Sequence, residues 1–144
     1  MPFDASTDAV FLIASTPLSV RHALRDVFCH PVMAHLSAAV RGNAEIVLAE
    51  ALNNIVEHAY ANIQGQIDLR LQLRPDRLFC SITDHGTPMP GSALPTGLTQ
   101  AIGIGHDLPE GGFGWFLIRE LTENLAYQRI DARNHLSFQF NIEQ

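Results

Sequence analysis

Strict alternation in two short stretches constrains this chain more than any other feature. Over residues 66–73 the apolar positions are Ile67, Leu69, Leu71 and Leu73, and after Pro75 and Asp76 a second such run covers 77–83. A period of two buries one face of an extended strand, so the pair predicts an antiparallel hairpin with one wet face. Residues 124–130 and 135–142 predict a second hairpin turning at 131–134, and 7–14, rich in β-formers, a first strand.

Helical spacing fills the intervals. Thr16, with Ser15, offers a cap ahead of Pro17, and Val20, Leu24, Val27 and Phe28 recur at helical spacing until Pro31 ends or kinks the run. A short segment then extends to about Val40. Gly42 and Asn43 punctuate before a long helix predicted over 44–61, and another is predicted over 113–123. Between the hairpins, residues 86–112 hold seven of ten glycines and four of eight prolines, too many for a regular buried element. A loop of this length in a compact domain is usually functional, often a lid. The order predicts an α+β two-layer sandwich, with helices on one face of a mixed, mostly antiparallel sheet.

Composition narrows the chemistry. The 144 residues fit one domain, 1–144, with one core. The longest N-terminal apolar stretch, 10–14, is too short to span a bilayer and follows Asp4 and Asp8, so a cytoplasmic protein away from membranes is expected. Cys29 and Cys80 lack metal-like spacing and are expected to be buried thiols. The net charge is −6 and no Lys occurs. A scattered set of Arg on an acidic chain argues against nucleic acid. The missing Lys excludes a Walker A loop, a eukaryotic-type kinase site and Schiff-base chemistry. No H-E-x-x-H or similar ligand set is present.

On the long helix, at about 100° per residue, Glu50, Asn53, Asn54, Glu57, His58 and Ala61 share one arc of roughly 140°. Leu48, Ala49, Leu52, Ile55, Val56 and Ala59 lie opposite. An ordinary solvated face would also be polar. This one lacks Lys and Arg, carries two Asn, and has Ile46 and Val47 on the same arc one turn earlier, so its start is expected to be covered. Glu50, Asn54 and His58 are successive i, i+4 neighbours and should meet in a ladder. A neutral amide oxygen from Asn54 suits Mg²⁺ beside phosphates, Glu50 could serve as a general base, and His58 could hydrogen-bond a phosphate or orient a neighbour.

Two glycine loops follow. Thr83-Asp84-His85-Gly86-Thr87-Pro88 sets a carboxylate beside a glycine that lets a flat ring approach; the carboxylate can accept from an adenine amino group. An ordinary turn would have the same composition. Glu110-Gly111-Gly112-Phe113-Gly114 opens the next helix with bare N–H groups, an anion site in kind. Gly103-Ile104-Gly105 precedes it and is no dinucleotide fingerprint, being followed by His-Asp-Leu.

Together these segments resemble the N, G1 and G2 boxes of the gyrase/Hsp90/histidine-kinase (GHKL) ATPase superfamily, and most closely the stand-alone anti-sigma-factor serine/threonine kinases. The resemblance rests on Glu50-Ala-Leu-Asn-Asn54-Ile-Val-Glu-His58-Ala-Tyr60, then Asp84-x-Gly86, then Gly112-x-Gly114-x-x-Leu117-Ile118, in that order across nearly the whole chain. It implies a Bergerat fold, with ATP and Mg²⁺ as cofactors and an ATP lid at about 86–112. Asn54 is then the metal ligand, Asp84 reads adenine, Gly112 and Gly114 meet the phosphates, and Glu50 is the catalytic base toward a serine on a partner. His58, Gly86, Gly103, Gly105, Gly111 and Phe113 complete the implied nucleotide-binding set. The implied partner is an anti-anti-sigma factor with a STAS domain, a sigma factor, or both; a homodimer is compatible with the sequence. Asn134 stands where the superfamily usually has Gly, and Asn tolerates left-handed geometry. The lid residues 87–111 carry no Arg or Lys, only His106, which leaves charge neutralisation to Mg²⁺ and backbone. A protein kinase with anti-sigma activity and a partner-sequestering module that keeps nucleotide as a structural ligand both fit. A histidine-kinase half would need a phosphoacceptor helix pair upstream, where the fold already uses the residues.

Overall fold

The computed structural model describes residues 7–94 and 112–142. Strand β1 (Asp8–Ala14) leads into α1 (Pro17–Cys29), a 3₁₀ turn at Pro31–Met33 and α2 (Ala38–Asn54). The hairpin β2 (Gln66–Leu73) and β3 (Arg77–Asp84) follows, then α3 (Gly112–Leu121) and the hairpin β4 (Glu123–Ile130) and β5 (Arg133–Asn141). The strands form one sheet in the order β1-β2-β3-β5-β4, and all four pairings are antiparallel. Helix α2 packs against both α1 and α3. No helix among the described residues is long and apolar enough to cross a membrane.

Alternation does the work anticipated for it. Ile67, Leu69 and Leu71 of β2, Leu78, Cys80 and Ile82 of β3, and Leu136, Phe138 and Phe140 of β5 are all buried. They meet Val47, Leu48, Ala51 and Leu52 of α2 and Val20 and Val27 of α1 in one core. Burying a side chain of this size contributes about 1.5–3 kcal/mol, enough to hold helices against the sheet. Thr16 caps α1 by accepting from Ser19 N at 3.1 Å, with Pro17 at the first helical position.

Several expectations need correction. Helix α2 starts at Ala38, not after Gly42, because Ser37 caps it by accepting from Val40 N at 3.2 Å. Gly42 is an exposed interior residue of the helix, tolerated because the opposite face is so well buried. Ile46 is 43% exposed while Val47 is fully buried, so only half of the expected cover exists. Cys29 is exposed at the end of α1; Cys80 alone is buried, and burial pushes its thiol far above the usual range. In the turn of the last hairpin the positive φ angles fall on Asp131 (52°) and Ala132 (62°), as a two-residue type I′ turn requires. Asn134 is extended in β5 and does not use left-handed geometry.

Candidate functional site

Helix α2 is regular through Asn54 and then widens into a π turn over Ile55–Ala59. Such turns often occur at functional sites, and here it divides the expected polar ladder. Glu50 and Asn54 stay together, half-buried and 7% exposed respectively. The first turn of α3 lies directly against them: a Cβ on Gly114 would collide with Glu50 Oε2 and stand 3.6 Å from Asn54 Nδ2. With glycine there, the Glu50 carboxylate keeps that place against the helix start. Asn54 Nδ2 is itself buried with no hydrogen-bond partner, the one such side-chain atom found among the described residues. Beyond the widened turn His58 is exposed, its ring 3.9 Å from the Glu57 carboxylate, and hydrogen-bonds to neither Glu50 nor Asn54. Asn53, from the same sequence arc, lines a separate groove between α1 and α2 with Val20, Leu24, Phe28 and Arg21.

The end of β3 supplies the second part. Asp84 continues the buried phase of Leu78, Cys80 and Ile82 and is 2% exposed. Its Oδ1 accepts from Gly86 N at 2.8 Å and from Asn134 Nδ2 at 2.8 Å. Burial pushes the Asp84 carboxyl above its ordinary value, while those two hydrogen bonds and the charges of Arg129 and His85 pull it back part of the way. Gly86 is required for a reason the sequence did not suggest. A Cβ there would sit 2.6 Å from the carbonyl carbon of Ala59, the last residue of the π turn. Thr87 N donates to Ala59 O at 2.8 Å, and the Tyr60 hydroxyl accepts from His85 N at 2.7 Å while donating to Gln66 O at 2.8 Å. Burial also raises the Tyr60 hydroxyl above its usual pKa. The loop after β3 is thus fastened to the end of α2.

Sequence reasoning missed the role of Asn134. It faces Asp84 directly in the β3–β5 register and is 4% exposed. Its Nδ2 also donates to Thr87 O at 2.9 Å, and its Oδ1 accepts from Tyr127 OH at 2.5 Å and Arg129 at 3.1 Å. Arg129 donates further to Gly86 O at 2.7 Å, and Met89 N donates to Tyr127 OH at 3.1 Å. A signal was available: Asn134 is in phase with Leu136, Phe138 and Phe140, so alternation places it on the core face. Gly112, Phe113 and Gly114 open α3 as expected, whereas Gly103, Gly105, His106 and Gly111 lie outside the described residues.

An antiparallel sheet covered on one face by helices, with an acid–amide pair of the central helix against a glycine-led helix start, is the architecture of the Bergerat or GHKL class. A family model described as the histidine kinase-like ATPase domain matches residues 13–140, and the chain belongs to that family. The serine/threonine-protein kinase BtrW of Bordetella bronchiseptica is 35% identical over 103 residues, covering 70% of each chain. The serine-protein kinase RsbW of Bacillus mycoides is 33% identical over 86 residues, covering 56% of this chain and 52% of that relative. RsbW of Halalkalibacterium halodurans is 36% identical over 83 residues, covering 56% and 51%. The alignments therefore span about half the length of the RsbW relatives. Among solved structures, the histidine kinase domain of the Erythrobacter litoralis EL346 blue-light activated histidine kinase superposes with a TM-score of 0.55. It is 15% identical, with 87% of this chain and 60% of that one covered, and supports the fold alone.

Proposed function

We propose that this domain binds Mg·ATP between α2 and α3 and acts as an anti-sigma regulatory factor, a protein serine kinase that phosphorylates an anti-anti-sigma partner with a STAS domain. The observation that carries the reading is the orphaned, buried amide of Asn54 beside Gly114. An unpaired buried polar group is destabilising, and a ligand that satisfies it gives a reason for its retention. Rotated by 180°, the same amide offers Oδ1 to a hard cation, and the Glu50 carboxylate stands beside it at the start of α3. The residues present therefore fit the nucleotide and the metal.

Bound Mg·ATP supplies the phosphoryl group to be transferred. Asn54 would hold the cation through its amide oxygen, and the backbone N–H groups of Gly112 and Gly114 would meet the phosphates at the positive end of α3. Asp84 accepts from the amino group of adenine. Glu50 would take the proton of the partner's serine hydroxyl, whose oxygen would bond to the terminal phosphorus of ATP as the bond to the bridging oxygen breaks and ADP leaves with the electron pair. The kinship with BtrW and RsbW, both named as protein kinases, supports transfer. The absence of Arg and Lys from residues 87–111 favours the second reading, a module that sequesters its partner with nucleotide bound and little turnover.

Trp115, the single Trp, is buried immediately after Gly114 and reports on the site. Its fluorescence, backed by calorimetry, should show saturable ATP binding that weakens at least about tenfold, or 1.4 kcal/mol, without Mg²⁺ or in Asn54→Ala. No binding by either method would reject the nucleotide site. Transfer of labelled phosphate to a STAS protein, present in wild type and lost in Glu50→Ala with ATP binding intact, selects the kinase; binding without transfer selects the sequestering module.

A further inference from the structure

The hydrogen bonds around Asp84 carry a consequence for which base the site accepts, resting on the nucleotide-binding reading above. A carboxylate with both oxygens available is a two-pronged acceptor. It suits the guanine edge, where N1–H and the N2 amino group donate side by side, as well as the single N6 amino group of adenine. A buried carboxylate alone therefore does not choose between purines. In this protein one prong is already taken. Asp84 Oδ1 accepts from Gly86 N and from Asn134 Nδ2, both at 2.8 Å, which uses both of its lone pairs.

Asn134 has no freedom to release that prong. All four of its hydrogen-bonding positions are engaged: Nδ2 by Asp84 Oδ1 and Thr87 O, Oδ1 by Tyr127 OH and Arg129. Two donors converge on Oδ1 and two acceptors on Nδ2, so the amide has one orientation only. Arg129 ties the same network to Gly86 O, and Tyr127 to Met89 N, so the loop carrying the other Oδ1 donor is held in the same frame.

We infer that Asn134, fixed by Tyr127 and Arg129, is a positioning residue that saturates Asp84 Oδ1 and so makes the site selective for a base presenting a single amino donor, adenine rather than guanine. Only Oδ2 is left for the ligand. Adenine needs only one acceptor there, whereas guanine would bury one of its paired N–H groups without a partner, the situation in which hydrogen-bonding sites discriminate strongly.

Calorimetric titration with ATP, GTP and purine riboside triphosphate, which lacks the amino group, tests this on the wild-type chain. ATP should bind at least about tenfold more tightly than either of the others. Asn134→Ala should then lower the ATP/GTP affinity ratio by about tenfold, and Tyr127→Phe, which keeps the Nδ2 donor but removes one of the groups holding it, should lower it less. A general loosening would weaken both nucleotides together, so the ratio separates positioning from scaffolding. Equal binding of ATP and GTP by wild type, or an unchanged ratio in Asn134→Ala, overturns the inference and leaves the nucleotide site standing. Failure of wild type to bind any of the three rejects the site itself. Should Asn134→Ala fail to fold, Tyr127→Phe carries the test, and an ATP/GTP ratio unchanged from wild type there overturns the inference.

Discussion

Asp84 and Asn54 are both held in places that do not suit them in the free protein. Asn54 has an amide nitrogen without a partner, and burial raises the Asp84 carboxyl above its ordinary value of 3.8. A carboxyl with a raised folded pKa binds more protons folded than unfolded. Its contribution to stability is therefore full below pH 3.8 and falls as the pH rises through the folded value. Asp84→Asn retains an oxygen to accept from Gly86 N and Asn134 Nδ2 but carries no charge to desolvate. It should melt at a higher temperature than wild type at pH 7, with the difference closing below about pH 3.8 in calorimetric scans, while losing adenine selectivity. An Asp84→Asn protein less stable than wild type at neutral pH would mean that its hydrogen bonds outweigh its burial. Exchanging stability for a competent site is common where polar groups are buried for function.

At the scale of elements, α2 carries the most. Its buried side, Ala44, Val47, Leu48, Ala51 and Leu52, is packed tightly enough to keep Gly42 helical, although glycine in a helix interior costs roughly 0.5–1 kcal/mol relative to alanine. A Cβ at Gly42 would meet nothing within 4 Å. Gly42→Ala should accordingly stabilise the fold by about 0.5–1 kcal/mol, read as a higher urea midpoint at unchanged m-value. The π turn at Ile55–Ala59 has the opposite character, since its segment contains no glycine or proline to announce it. Its last carbonyl, Ala59 O, accepts from Thr87 N, and Gly86 packs against it. We attribute the widening to this contact with a loop some thirty residues further on, which is why helical periodicity carries His58 into a ladder that the folded chain divides.

For the molecule as a whole, the proposed site draws on three segments far apart in sequence that meet over one core. Glu50 and Asn54 come from α2, Asp84 and Gly86 from the end of β3, and Gly112 and Gly114 from α3. A ligand that touches all three must stabilise the assembled state. At about one hundred times its dissociation constant, Mg·ATP should add about 2.7 kcal/mol and raise the melting temperature. The same nucleotide concentration should shift Asn54→Ala much less, and an equal shift in both would place the bound nucleotide elsewhere.

Much of this protein is legible in its sequence because local chemistry settles it. Alternating residues in β2, β3 and β5 specify strands with one buried face, Thr16 and Pro17 specify the start of α1, and the order of elements specifies the two-layer class. The same alternation carried Asp84 onto the buried face, and the glycines of residues 112–114 marked the start of α3. What tertiary structure decided lies in contacts between distant segments. The passage of α2 through Gly42 depended on how deeply its inner face was buried, and the exposure of Cys29 on where α1 ended. The closeness of Gly114 to Glu50 and Asn54 depended on the docking of α3 against α2. The role of Asn134 depended on β5 pairing with β3 so that it falls opposite Asp84. Periodicity and capping act over a few residues and are written in them. Register between non-consecutive strands, helix docking and hydrogen bonds across fifty residues of chain arise only when the whole core closes.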